Sequence, residues 1–135
     1  MPPTDQGILA DSKVIAVVGL SANPERPSNE VAGYLMEQGY QVIPVNPNEK
    51  EILGQTSYPD LGSIPVAVDV VDVFRKSEDV LPIAEEAVRI GAKALWMQEG
   101  VKNKEAAALA RKAGLKVVMD KCMLKRHYKY YGGES

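Results

Sequence analysis

The sequence predicts a single three-layer α/β/α domain around a five-stranded parallel sheet, and three observations carry that reading. Short runs rich in Val, Ile and Ala alternate along the chain with segments of helical spacing. The runs are apolar throughout rather than alternating apolar and polar, as in sheets covered by helices on both faces. Gly39, Gly91 and Gly114 each follow a helical segment, where a left-handed stop belongs.

The elements follow in order. Thr4 to Ala10 predicts a short leading helix capped by Thr4 or Asp5. Lys13 to Gly19 (KVIAVVG) reads as a buried central parallel strand. A loop rich in Gly, Ser, Asn and Pro leads from Leu20 to Pro27, and a helix runs from about Ser28 to Gln38. Ser28 suits its N-cap, and Val31, Leu35 and Met36 form its apolar stripe. Gln41 to Asn46 is a second strand whose Pro44 places it at an irregular or edge position. A long connection from Pro47 to Pro65 holds at most a helical turn around Tyr58 to Leu61. Ala67 to Val73 is the third strand, followed by a helix from Ser77 or Glu78 to Ile90 with Pro82 near its first turn. Ala94 to Met97 is the fourth strand, and Asn103 caps a helix to Ala113. Leu115 to Met119 is the fifth strand, Met123 to Lys129 a final short helix, and Gly132 to Ser135 a mobile tail. One domain spans 1–135, with its core over about 12–127.

Right-handed crossovers leave few topologies for this alternation. The commonest is the Rossmann-like order 3-2-1-4-5, whose ligand crevice lies beside strand one, where the order reverses. Function therefore concerns the residues just after each strand.

Bulk properties narrow the classes. With 135 residues the chain suits one domain, and its 45% hydrophobic and 25% charged content is that of a globular protein. A net charge of -2 with no one-sided basic block argues against nucleic acid. Lys121, Lys125, Arg126 and Lys129 read as a solvated helix end. One cysteine, Cys122, permits no internal disulfide and fits a cytoplasmic location. Met1 to Ser12 lacks the apolar run of a signal peptide, and no stretch reaches the ~20 apolar residues of a membrane span.

After strand one comes Gly19-Leu-Ser-Ala-Asn-Pro-Glu-Arg-Pro-Ser28, leading into a helix N-terminus that favours an anion. Ser21 and Ser28 add hydroxyl donors, and Arg26 suits a phosphate. The plainer reading is an ordinary loop capped by Ser28. This is no dinucleotide fingerprint: Ser21 and Pro24 stand where G-x-G-x-x-G needs glycine. Asn46 and Pro47 follow strand two, where an NAD site needs an acid. A Walker A loop is absent too.

Phe74 follows strand three and either packs in the core or flanks a ligand, with Arg75 or Lys76 near phosphate. After strand four, Trp96 is a core residue, Gln98 and Glu99 lie at the crevice mouth, and Gly100 permits close backbone approach. Asp120-Lys-Cys-Met123 closes the site or caps the last helix. No catalytic set stands out. His127 reads as a surface residue, and one His with one Cys makes no metal site. Asp69 and Asp72 point to opposite faces, so they are not a paired-carboxylate centre.

The segments VIAVVGLSANPERPSN (14–29), VIPVNP (42–47), VVDVFR (70–75), LWMQEG (95–100) and DKCM (120–123) together resemble the small stand-alone CoA-binding proteins. These are similar to the CoA-binding domain of the succinyl-CoA synthetase α subunit and of related NDP-forming acyl-CoA synthetases. The resemblance runs from about Ser12 to His127. It implies a Rossmann-like fold holding coenzyme A, with Gly19, Ser21, Arg26 and Ser28 at the phosphates. It also implies Asn46 and Pro47 against the ligand, Val73, Phe74 and Arg75 along its adenine or pantetheine side, and Gln98 at the far edge. The synthetases use a phosphorylated histidine from a second domain; the chain ends before such a domain, and His127 does not match that motif.

The expected function is therefore binding of CoA or an acyl-CoA without a catalytic set. The alternatives are the CoA-binding component of an acyl-CoA synthetase acting with a partner, or an NAD(P)-binding oxidoreductase-like protein. A thiol chemistry at Cys122, which opens a helix beside Lys121, is a further reading; an inert helix-start cysteine is the plain one. Tyr128, Tyr130 and Tyr131 mark either a contact surface or a frayed tail.

Overall fold

The computed structural model describes residues 3–132 and arranges them as α1 (Thr4–Asp11), β1 (Val14–Val18), α2 (Pro27–Glu37), β2 (Gln41–Val45), β3 (Glu51–Ile52), β4 (Gln55–Thr56), β5 (Val70–Val73), α3 (Val80–Arg89), β6 (Ala94–Met97), α4 (Lys104–Lys112), β7 (Lys116–Val118) and α5 (Met123–His127). Five strands form one parallel sheet in the order β2-β1-β5-β6-β7. This matches the 3-2-1-4-5 pattern once its outermost place is taken by Tyr58, which makes a single parallel bridge to Val45. Val70–Val73, third of the long strands in sequence, accordingly lies beside β1. The order reverses between β1 and β5.

β2 sits at the edge, as Pro44 foretells. A proline offers no N–H to a ladder, and its place on the outer side of β2 leaves only its carbonyl to serve, which accepts from Tyr58 N at 3.0 Å. The connection after β2 holds a two-stranded antiparallel hairpin, β3–β4, that the sequence reading lacked. Its turn residues Leu53 and Gly54 both have positive φ, 55° and 76°, the geometry of a tight hairpin turn. Leu53 is a poor residue for such a turn, which hid the signal. The short helical turn lies at Leu61–Ser63, with Asp60 accepting from Ser63 N.

The pleat divides the core into two layers. Ala16, Val18, Val71, Val73, Leu95 and Met97 face α3 and α4, while Ile15, Val17, Val70, Ala94 and Trp96 face α1, α2 and α5. Full burial of such side chains contributes about 1.5–3 kcal/mol each, which makes the sheet the stable frame for its loops. Ile8 and Leu9 of α1 belong to the second layer, so the core begins before residue 12.

Several helix ends differ from expectation. α2 begins one residue early, with Arg26 at the cap and Pro27 at the first position, and Ser28 is buried inside the first turn. Neither Thr4 nor Asp5 caps α1; Pro3 precedes it without a side-chain cap. Asp5 is buried and instead accepts from Arg126 Nε at 2.6 Å and from the Tyr130 hydroxyl at 2.8 Å. Burial pushes its carboxyl up, but those two hydrogen bonds outweigh it and hold the group below the usual carboxylate range. Arg126 and Tyr130 are thus parts of a clamp from the end of the chain to its beginning, not a solvated helix end and a frayed tail.

His127 also departs from the surface role assigned to it. It is buried, its Nδ1 hydrogen-bonds the Tyr34 hydroxyl at 2.9 Å, and the rings of Tyr34, Tyr40 and Tyr131 surround it. Its position among basic residues in the sequence gave no sign of that. A π-helical turn carries the chain on to Gly132. The rest of the proposed mobile tail, 133–135, lies outside the described residues.

Two features of the sheet generate predictions. Gly19 has φ +88°, and a Cβ there meets the Phe74 carbonyl oxygen at 2.4 Å and Arg75 Cδ at 2.9 Å. Gly19→Ala is expected to cost at least about 2 kcal/mol in chemical unfolding. Gly39→Ala, also at positive φ but with nothing within 4 Å, costs less because only the backbone conformation opposes it. The second feature is Asp72, fully buried in β5, whose carboxyl is pushed up to about 7 by burial, against the opposing pull of the Gln98 hydrogen bond. A folded-state pKa above the unfolded one gives stability that is full at low pH and lost as pH rises through about 7. The slope approaches about 1.4 kcal/mol per pH unit between the two values. Asp72→Asn is therefore expected to raise the melting temperature at pH 8 and to lose most of that advantage by pH 5, measured by calorimetric scans.

Candidate functional site

The β1–β5 reversal opens a crevice at the carboxyl ends of the strands, and the loop from Gly19 to Arg26 forms one wall. That loop is held by its own side chains. Ser21 N donates to Ser28 Oγ at 2.9 Å, Asn23 N to Ser21 Oγ at 3.1 Å, and Asn29 Nδ2 to the Ser21 carbonyl at 2.9 Å. Both serine oxygens act here as acceptors, so each hydroxyl keeps a hydrogen to donate to a ligand. From the neighbouring strand end, Asn46 Nδ2 donates to the Leu20 carbonyl at 3.0 Å while its Oδ1 accepts from Asn48 N at 2.8 Å. Asn46 is thus committed to shaping the loop.

Three adjoining hollows make up the crevice. Gly19, Ser21, Arg26, Pro27, Ser28 and Phe74 line one of about 310 Å³. The largest, about 620 Å³, shares Pro27 and Phe74 with it and adds Val31, Arg75, Lys76, Asp79, Gln98, Glu99, Val101 and Cys122. A third of about 340 Å³ lies across Arg75 and Asp79 and reaches Pro47 and Pro59. Of the residues singled out in the sequence, Gly19, Ser21, Arg26, Ser28, Pro47, Phe74, Arg75 and Gln98 therefore come together. Val73 does not line the crevice: its side chain is fully buried in the layer beneath α3. Phe74 is half-buried at the junction of two hollows and also packs against the core layer beneath it. Trp96 is core, with Nε1 donating to the Lys121 carbonyl at 2.7 Å.

The charges along the rim are largely paired. Arg75 lies 3.7 Å from Asp79, and Lys125 donates to Glu99 at 2.9 Å. Asp120 accepts from Gly100 N at 2.7 Å and lies 3.4 Å from Lys102, so it joins two strand-end loops rather than capping α5. The hydrogen bond from Gly100, aided by Lys102, holds its carboxyl below the usual range. Arg26 and Lys76 make no ion pair among the described residues.

At the base of the large hollow, Gln98 Nε2 donates to Asp72 Oδ1 at 2.6 Å, and Asp72 Oδ2 has no partner. Sequence reasoning set Asp72 aside because no second carboxylate faces it. Its pairing with an amide from the next strand end was invisible without the β5–β6 register. Among the described residues no group of three or more His, Cys, Asp or Glu is placed to hold a metal. Among the described residues no helix is long and apolar enough to cross a membrane. A separate hollow of about 570 Å³ lies at the opposite, amino end of the sheet around Gly91 and Gly114.

The chain is 42% identical over 120 residues to YneT of Bacillus subtilis, covering 89% of both chains. It superposes on the solved structure of a protein from Pyrococcus horikoshii with a TM-score of 0.90 and 42% identity, covering 93% of this chain and 88% of that one. It is 30% identical over 120 residues to the α subunit of an ADP-forming acetate–CoA ligase of Pyrococcus furiosus, covering 81% of this chain and only 26% of the ligase subunit. The CoA binding domain family matches residues 13–128. The chain belongs to the CoA binding domain family and is related to the α subunits of ADP-forming acetate–CoA ligases.

Proposed function

We propose that the chain binds coenzyme A, or an acyl derivative of it, in the crevice above the strand carboxyl ends, and that it carries no catalytic set of its own. The observation that supports this most is the junction at Pro27 and Phe74. It joins a hydroxyl- and arginine-lined loop, suited to phosphate, to a mostly apolar hollow large enough for a flexible arm.

In this reading the ligand's phosphates meet Ser21, Arg26 and Ser28 beside Gly19, whose missing Cβ lets the loop lie against the end of β5. Phe74 and Arg75 border the adenine or pantetheine side, and Gln98 lies at the inner end. Pro47 lines the hollow across Arg75, while Asn46 and Val73 act from behind, by holding the Leu20 carbonyl and by packing β5 against α3. Coenzyme A is a cytoplasmic ligand in this reading. Binding rather than turnover is the reading these side chains support: Asp79 and Glu99 are ion-paired at the rim of the large hollow, Asp72 is buried beneath it, and the chain's one histidine, His127, is packed under tyrosines and does not line it. A second reading rests on the ligase relationship: the chain supplies the CoA site to a partner that performs acyl transfer.

Calorimetric titration with coenzyme A, NAD and ADP tests the first reading. Coenzyme A is expected to bind at least about tenfold more tightly than either control, because only it fills both the loop and the large hollow. Arg26→Ala is expected to weaken it about ten- to a hundredfold, the loss of a charge-assisted hydrogen bond. NAD or ADP binding as well as coenzyme A contradicts the reading. Acyl-CoA synthesis that appears only when a ligase partner is added supports the second.

A further inference from the structure

Gln98 is 3% exposed, yet it borders the large hollow. Its amide nitrogen is committed to Asp72 Oδ1. A carboxylate only accepts, so an ionised Asp72 dictates which end of the amide faces it. The nitrogen turns into the sheet and Oε1 is left to the hollow, where no donor among the described residues engages it. A protonated Asp72 has an O–H to give and favours the reverse: Oε1 toward the acid and the NH₂ toward the hollow.

We propose that Asp72 is a positioning residue whose proton sets whether Gln98 offers the crevice a hydrogen-bond acceptor or a donor. The ionised form selects a ligand group that carries a donor, such as an amide N–H of a pantetheine arm; this rests on coenzyme A being the ligand, as proposed above. Asp72 Oδ2 is buried and unpartnered, which leaves Gln98 as the one polar group that answers the acid's state. Burial places the carboxyl near 7, so both states are populated around neutrality.

The groups packed around Asp72 do not compete for this role. Its neighbours in register are Val17 of β1 and Trp96 of β6. On the covering helices, Asp5 of α1 is held by Arg126 of α5, His127 of α5 by Tyr34 of α2, and Lys125 of α5 by Glu99, while Glu30 and Glu37 of α2 are exposed. Of the hollow's own ionisable groups, Arg75, Lys76, Asp79 and Glu99 belong to its rim, and Cys122 borders the wall beside α5. His127 is held below its usual value by burial.

The test is calorimetric titration from about pH 6 to pH 8, in two buffers of different ionisation enthalpy, with coenzyme A and with adenosine 3′,5′-bisphosphate, which lacks the arm. Wild type is expected to lose about three- to tenfold in coenzyme A affinity toward pH 6, and to release more protons on binding it than on binding the bisphosphate. Asp72→Asn, which presents both an acceptor and a donor to Gln98 at every pH, is expected to show no such fall and to release no extra proton. Gln98→Met is expected to be weaker at pH 8 and equally flat. Bisphosphate binding, unchanged in both variants, reports an intact phosphate loop. Wild type and Asp72→Asn sharing one pH profile overturns this inference alone. Wild type that binds no coenzyme A at any pH overturns the proposed function, and this inference with it.

Discussion

The close approach of Gly19 to the Phe74 carbonyl is the constraint on which the site depends. β1 ends between two strand ends: Gly19 N donates to the Val45 carbonyl, and Phe74 N donates to the Val18 carbonyl. The chain must turn out of the sheet at that point, at positive φ, with no room for a side chain. Once it has done so, the loop to Arg26 is carried over the β1–β5 reversal, and Ser21, Asn23, Ser28 and Asn29 lock it by short-range hydrogen bonds. A single glycine thus serves where the dinucleotide fingerprint uses three. The difference is physical: serine hydroxyls and an arginine line the hollow beside this loop in place of bare backbone.

The second organising feature is the unpaired acid under the crevice. A fully buried carboxylate without a cation costs stability wherever it is ionised. Asp72 has one amide as partner, and with its carboxyl pushed up to about 7 most of that cost is already met at neutrality. Elsewhere the molecule pairs its buried charge fully, as Asp5 does with Arg126 and Tyr130. The contrast between a satisfied acid holding the chain ends together and a half-satisfied acid at the base of a cavity separates scaffold from site.

Much of this was legible in the sequence. The apolar runs and the glycines after helices located the five long strands closely, because each run is bounded by turn residues and needs no knowledge of its neighbours in the sheet. Pro44 marked the edge strand, since a missing N–H has few places in a sheet. The loop after β1 and Phe74 stood out by position alone. What was missed depended on contacts between distant segments. The β3–β4 hairpin hid behind a leucine at positive φ. Asp5 read as a helix cap, and Arg126, Tyr130 and His127 as surface residues, because nothing local reveals that α1 and α5 pack side by side. Asp72 read as an isolated acid because Gln98 is 26 residues away and meets it only through strand pairing.

Backbone amide chemical shifts recorded while coenzyme A is added test the central claim most directly. The account predicts that the largest changes fall on residues 19–28, 74–76 and 98–101, at the carboxyl ends of the strands. It predicts that the hollow around Gly91 and Gly114 at the amino end stays silent. Changes centred on that amino-end hollow, or none at saturating ligand, contradict it.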